Sequence, residues 1–220
     1  MKKTLSKVAL ATTLLAATTT LTLGSGNHKF IVPAYNAVEI IDGDSFKTTE
    51  NQTIRLDTLD APELNFCGGL EAKQALSDLI SNTPLYIKVL FRDSHNRLIS
   101  SVYAPQGYVS ETMIGGGYAQ YLPKQGANPK LKSLGEIART NKLGIYGAKC
   151  SQNTNPDNPK CNIKGNINPE NNTKLYHLPS CAQYVNTQIQ LFKGDQWFCT
   201  EKEAAKAGFI KAPNCTPTPI

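Results

Sequence analysis

Beyond its N-terminal segment this 220-residue sequence has no apolar run long enough to cross a bilayer, no internal repeat and little net charge. The first absence excludes a bundle of membrane-spanning helices, since each needs about 20 consecutive apolar residues. The second removes solenoids and propellers, which show themselves by their period. The third emerges only after a correction. The full chain carries 23 Lys and Arg against 17 Asp and Glu, a formal charge of +6. Setting aside Lys2, Lys3 and Lys7 leaves 20 basic residues against the same 17, a balance of +3. Such a balance permits contact with a polyanion without arguing for it, so function has to be sought in the placement of charges.

Those three lysines precede a stretch from Val8 to Leu23 that is apolar but diluted by threonines, and the small residues Gly24, Ser25 and Gly26 follow. This is the layout of a secretory signal peptide over residues 1–26, although no A-x-A cleavage site is visible; the alternative is an N-terminal anchor. An exported chain, periplasmic or secreted, is expected, with no stable membrane insertion once the signal is removed. Six cysteines remain: Cys67, Cys150, Cys161, Cys181, Cys199 and Cys215. An even number in an exported chain favours disulfides, whose connectivity spacing alone does not fix.

From residue 37 to about 103 the pattern is mainly β. Val38, Ile40 and Ile41 precede the turn Asp42-Gly43-Asp44, and residues 45–49 and 53–59 read as strands paired around Glu50-Asn51-Gln52. A helix is expected over 70–80, strands over 85–90 and 98–104, and further helices over 110–115 and 131–143. In the last, Leu131, Leu134, Ile137 and Ala138 share a face. This order suggests a mainly β domain with α-helices, a five-stranded OB-type barrel with packed helices, over residues 27–150. Residues 151–160, SQNTNPDNPK, hold no large apolar side chain and read as a linker. Residues 161–220 then form a small α+β module with four of the six cysteines, in which Thr200 and Glu203 make a capping box.

The residues that could carry chemistry concentrate between Ile41 and Glu63: Asp42, Asp44, Arg55, Asp57, Asp60 and Glu63, within IDGDSF and IRLDTLDAPE. A D-G-D turn alone needs no more explanation than the backbone preferences of Asp and Gly. Carboxylates beside an arginine on an adjacent strand say more. Aspartates at strand ends supply hard oxygen ligands for Ca²⁺ or Mg²⁺, a nearby glutamate can take a proton from water, and an arginine fork matches phosphate oxygens. A second arginine, Arg97, closes the turn RDSHNR.

In this order these residues resemble the thermonuclease, or staphylococcal nuclease-like, family over about residues 38–146. The resemblance rests on the two strings above, on Asp93 to Arg97, on GGGYAQ and on LGIY. It implies an OB-fold barrel with one Ca²⁺, hydrolysing phosphodiesters of DNA, with RNA as a second candidate substrate, to 3′-phosphates. By the same resemblance Asp44, Asp60 and the backbone carbonyl of Ala61 hold the metal, with Asp42 beside it. Glu63 activates the attacking water, and Arg55 and Arg97 grip the scissile phosphate. Tyr118 or Tyr121 could stack on a base. His95 and Asn96 stand where the best-known members carry tyrosine and glycine. A monomer is expected. The competing readings are a nucleic-acid-binding or adhesion module that keeps the fold without the catalysis, and an exported protein whose tail tethers it to the envelope.

The C-terminal part resembles a small module found after nuclease-like domains, and FCTEKEAAKAGF is similar to the zinc-binding domain of the Ada DNA-repair protein. His177 and Cys181 keep one metal-ligand spacing of that domain, whereas Ala212 replaces a cysteine and leaves Cys215 alone. Three readings follow: zinc held by His177, Cys181 and Cys215 with Cys199 or Cys161, two disulfides among the four cysteines, or a mixture of the two. Cys67 and Cys150 are candidates for a bridge tying down the loop after Glu63.

Overall fold

Short alternating segments broken by tight turns begin the fold. The computed structural model describes residues 35–123, 126–168, 171–213 and 215, so the expected signal peptide at 1–26 lies outside the described residues. Strands β1 (Ala37–Ile40) and β2 (Ser45–Thr48) pair antiparallel around the Asp42–Asp44 turn, and β3 (Thr53–Leu56) pairs antiparallel with β2. The expectation that β3 runs to residue 59 fails because Thr58 takes φ 62 and turns the chain. Leu59–Asp60 is instead a separate strand, β4.

Helix α1 (Gly69–Ile80) follows, with Gly69, Ala72, Leu76 and Ile80 buried at the three- and four-residue spacing of one helical face. Strands β5 (Tyr86–Arg92) and β6 (Leu98–Ala104) form a hairpin, β6 runs parallel to β3, and the short β7 (Gly107–Tyr108) pairs with β6. The sheet order is β1-β2-β3-β6-β5 with β7 attached to β6, six strands rather than the five expected. Just before the two outer strands, Tyr35 and Leu85 exchange both backbone hydrogen bonds, at 2.9 and 2.8 Å. The sheet edges therefore meet at that end.

Helix α2 (Val109–Gly115) leads to β8 (Gln120–Tyr121), which pairs with β4, and then to α3 (Pro129–Thr140). Asn128 caps α3 by accepting from the Leu131 N–H at 3.2 Å, and Pro129 fits the first turn, where no N–H is needed. The helix thus starts two residues before the expected 131 and stops at Thr140. Ile137, expected on the inner face, is 50% exposed, and Gly135 packs there against Ile114 and Tyr121. Between sheet and helices lie Phe46, Ile54, Leu76, Val102, Met113 and Leu131, all at most 2% exposed. Each such side chain contributes about 1.5–3 kcal/mol by leaving water.

Past the 3₁₀ turn Gly144–Tyr146, strand β9 (Ser151–Gln152) lies inside the stretch expected to be a linker. Then come β10 (Ile163–Ile167), β11 (Lys174–His177), β12 (Ile189–Gln190), β13 (Gln196–Phe198), α4 (Glu201–Lys206) and β14 (Ile210–Lys211). Four of these strands make a sheet in the order β13-β10-β11-β14, while β12 pairs with β9. Trp197 Nε1 donates to Gln152 Oε1 at 2.7 Å, so the second sheet is fastened to β9. Thr200 caps α4, accepting from the Glu203 N–H at 3.2 Å, as the sequence led one to expect. No helix among the described residues is long and apolar enough to cross a membrane.

All six cysteines are joined, Cys67 to Cys150, Cys161 to Cys199 and Cys181 to Cys215. Of the alternatives for the C-terminal cysteines this is the disulfide one, and their sulfurs are not available as thiolate ligands. The bridges span 83, 38 and 34 residues, and loop-closure entropy gives each a stabilisation of about 3–5 kcal/mol.

His177, the remaining candidate ligand, is buried on β11 opposite Lys164 of β10, and its Nδ1 has no hydrogen-bond partner among the described residues. Lys164 is 2% exposed, donates from Nζ to the carbonyls of Tyr184 (2.9 Å) and Thr187 (2.6 Å), and lies 4.3 Å from the centre of the Tyr184 ring. Burial, and then the Lys164 charge, push the His177 pKa below its usual 6.5. As pH falls through about 6.5 the unfolded chain takes up this proton first, so the fold loses stability there and keeps it at higher pH. Thermal melts from pH 7.5 down to 5.5 will show a fall in midpoint that His177→Leu flattens; identical slopes in both proteins would exclude His177 as the cause.

Candidate active site

Two consecutive hairpins bring the central charges together. The Asp42–Asp44 turn joins β1 to β2, and Asp42 Oδ1 accepts the Asp44 N–H at 2.9 Å, the local bond that aspartate favours in turns. Ser45 and Arg55 stand opposite each other in the β2–β3 register, which sets Arg55 beside Asp44. Asp44 is 2% exposed, and its Oδ1 accepts from Ser45 Oγ at 2.7 Å and from Arg55 Nη1 at 2.5 Å. Its Oδ2 accepts from the Ala61 N–H at 3.2 Å. The other arm of the guanidinium, Nη2, donates at 2.7 Å to Oδ1 of Asp60, the exposed residue of β4. One arginine thus joins a buried and an exposed aspartate.

Burial pushes the Asp44 pKa up to about 6, Arg55 opposes the rise and Asp42 adds to it. Three aspartates surround one guanidinium, leaving two negative charges in excess when all are ionised. That excess, offered by hard oxygens, suits a divalent cation such as Ca²⁺. Asp44, Asp60 and Ala61 lie together, with the Ala61 N–H bonded to Asp44 and both carboxylates bonded to Arg55. Among the described residues no group of three or more His, Cys, Asp or Glu is assembled for a metal, so water would complete the six to eight oxygens typical of Ca²⁺.

Arg97 and Glu63 stand apart from this network. Arg97 closes the β5–β6 turn, where its Nε (2.9 Å) and Nη2 (2.8 Å) both bond Asp93 Oδ2 and its N–H bonds Asp93 Oδ1. Asn96 supports the turn with φ 64, a conformation asparagine tolerates. Arg97 nevertheless lines the same cavity as Arg55, about 170 Å³ in volume, together with Thr58 and Phe91. Glu63 is exposed and lines a second cavity of about 340 Å³ together with Asp60 and Ala61. Asp60 and Arg55 are ion-paired, so their bond runs between the two cavities.

One sequence expectation is corrected. Asp57 does not join the carboxylate cluster; it is buried, accepting from Ser101 Oγ at 2.8 Å and from the Tyr108 hydroxyl at 2.5 Å. Burial and that bond push the Tyr108 pKa up to about 12, so the phenol stays protonated. Tyr118 and Tyr121 pack against the main core, and the Tyr121 hydroxyl accepts the Asn128 N–H at 2.7 Å ahead of α3. Sequence reasoning missed Gln120, set opposite Asp60 by the β4–β8 pairing, and Lys193, which closes the Glu63 cavity from the C-terminal side. The β-pattern around Gln120 is too short to register, and only the turn-forming Gly194-Asp195 pair marks Lys193 in the sequence.

A charge-dense, hard-oxygen site with two arginines facing one cavity belongs to the class of proteins that handle phosphate esters. Residues 53–148, which include Arg55, Asp60, Ala61, Glu63 and Arg97, match the family model described as Staphylococcal nuclease homologue. That stretch is a staphylococcal nuclease-like domain. A protein of Escherichia coli O157:H7 named "Uncharacterized endonuclease" is 28% identical over 113 residues, 50% of this chain and 74% of that protein. A similarly named protein of Haemophilus influenzae is 26% identical over 113 residues, 50% of this chain and 64% of its own. A rice protein, Oryza sativa subsp. japonica, named "Probable staphylococcal-like nuclease", is 29% identical over 99 residues, 45% of this chain and 30% of its own. Asp44 precedes the matched stretch and enters the site by its contacts alone.

Gly43 shows how tightly the turn is set. A Cβ there would lie 2.5 Å from the Ala72 Cβ on α1 and 2.7 Å from the Ala61 Cβ. Gly43→Ala therefore pushes α1 and the Ala61 backbone away from Asp44, at a cost of about 1–3 kcal/mol. A melting midpoint lowered by roughly 2–10 °C in circular dichroism is the expected result; an unchanged midpoint would mean that the turn has room to spare.

Proposed function

We propose that this chain is an exported, calcium-dependent phosphodiesterase that cuts DNA, with RNA as a second substrate, leaving 3′-phosphates. The observation that carries the reading is the Asp44–Arg55–Asp60 network, with Arg97 lining the cavity on the Arg55 side and Glu63 lining the one that holds Asp60. The endonuclease names of its relatives support it. The OB-type reading is supported by the β1-β2-β3-β6-β5 order and by the Tyr35–Leu85 bonds that join the outer strands. Residues 27–150 are read as the nuclease domain, 151–160 as its connection and 161–220 as a disulfide-held module. The protein acts as a monomer, in the periplasm or secreted.

Phosphodiester hydrolysis demands in-line placement and relief of charge on the non-bridging oxygens. Asp44, Asp60 and the Ala61 carbonyl would hold a Ca²⁺, which when bound supplies charge neutralisation at the phosphoryl oxygens. Arg55 and Arg97 offer forks for the same phosphate, each now held by a carboxylate that keeps its guanidinium oriented. Glu63, exposed and lining the cavity that Asp60 also lines, is free to take a proton from the attacking water.

Lysine keeps the charge of either arginine and loses the fork. Arg55→Lys and Arg97→Lys should each lower kcat on denatured DNA by roughly a hundredfold or more, and excess chelator should abolish cutting until calcium is restored. Cutting that ignores the chelator removes the metal role. Binding without any cutting would favour a nucleic-acid-binding protein on the same fold.

A further inference from the structure

A half-buried lysine without an ion-pair partner among the described residues stands in the wall of the Glu63 cavity. Lys193 lies outside the stretch matched to the nuclease family, at the end of the 3₁₀ turn Leu191–Lys193. Three attachments hold it there. The Leu191 N–H donates to the Cys150 carbonyl at 2.9 Å, and Cys150 is bonded to Cys67, four positions after Glu63. Asp195, 3% exposed, accepts the N–H groups of Ile167 (2.8 Å) and Gln190 (2.9 Å), which pins the chain on both sides of the turn. Gly194 takes φ 86, and a Cβ there would come within 2.8 Å of the Phe66 ring, so the turn sits directly on the loop that carries Glu63.

The position is electrostatically tense. Burial pushes the Lys193 pKa down, Asp195 holds it up, Arg139 adds to the fall and Asp60 resists it. The ammonium is thus partly stripped of water and close enough to Asp60 to sense its charge, yet no carboxylate among the described residues pairs with it. The cavity it closes has about 340 Å³, within the size range of small-ligand sites. Phe66 and Ile167 give it apolar surface, and Gln120 and Asn172 give it amides. A flat apolar ring with an anionic group at one end fits that lining.

We infer that this cavity is a nucleotide subsite next to the cleavage position, in which Lys193 takes the backbone phosphate neighbouring the one cut and a base lies against Phe66 and Ile167. The subsite presupposes a nucleic-acid strand as substrate, as proposed above. Lysine suits the task as a compact point charge that needs no fixed approach. The C-terminal segment then acts as a wall of the substrate path and lengthens the strand the site can hold.

Binding of a labelled single-stranded thymidine octamer and of a thymidine dinucleotide, too short to fill both positions, tests this on the full chain in excess chelator, where nothing is cut. Lys193→Met and Lys193→Gln should weaken octamer binding about fivefold and reduce the slope of log affinity against log salt by roughly 0.7. Dinucleotide binding should stay as in the wild type, and Lys193→Arg should bind the octamer normally. Octamer affinity unchanged in both neutral variants overturns the subsite, and so does equal weakening for octamer and dinucleotide. The nuclease reading fails separately: wild-type protein that binds the octamer but leaves it intact when calcium is restored would end that reading alone.

Discussion

One guanidinium between two carboxylates organises this molecule. Arg55 makes the only ion pair that the buried Asp44 has among the described residues, and it makes one to Asp60 as well. A carboxylate stripped of water is tolerable only with a nearby opposite charge and a full set of donors. Asp44 has both, through Arg55, the Ser45 hydroxyl and the Ala61 N–H. Removing the arginine would leave a buried charge without compensation, a loss of about 3–5 kcal/mol. The first two hairpins, the Thr58 turn and the β4–β8 pairing together bring these groups within reach. The same contacts that hold the strands in register therefore hold the chemistry.

This constraint also explains the surplus of acid around it. A site meant only to stabilise a hairpin would balance its charges, whereas here Asp42, Asp44 and Asp60 outnumber Arg55; burial, with Asp42 adding to it, holds the Asp44 carboxyl up at about 6. An uncompensated acidic group at the heart of a fold weakens it. It makes sense where a cation and an anionic substrate complete the balance. The arginines are restrained in a related way: each is oriented by an aspartate, so little rotamer freedom is left to lose on gripping a phosphate in the proposed role.

The first half of this arrangement was legible in the sequence because it is local. Asp42, Gly43 and Asp44 form a turn, Arg55 follows at hairpin distance, and both signals survive without any tertiary information. The paired strands, α1 and the capping box of α4 were legible for the same reason. Asp57 was misplaced because alternation assigns it to a strand, while Thr58 in the left-handed region breaks that alternation and turns Asp57 inward. Ile137 misled because a helical stripe does not say how wide the buried face is; Gly135 lets α3 approach Ile114 and Tyr121 closely and leaves Ile137 in solvent. The C-terminal strands, mostly two to five residues long, carry too few positions for a period to emerge. Their order is set by pairing and by disulfides that spacing does not encode.

The disulfides also explain how a part of the chain with its own sheet comes to bear on the site. Cys67 lies at the end of the Glu63 loop and Cys150 at the end of the helical part, so their bond fixes the loop against the point where the chain leaves for β9. From there β9 pairs with β12, Gln152 holds Trp197, and Leu191 returns to bond the Cys150 carbonyl. Each step is short and each atom in it is covalently bonded or hydrogen-bonded. Under the proposed function this loop carries the proton acceptor for water and must not drift, since a misplacement of about 1 Å can cost a hundredfold in rate. Buttressing that loop from behind by a disulfide, and from the side by a turn seated on Phe66, limits such drift without placing further bulk on Glu63 itself, which stays exposed to whatever enters the cavity.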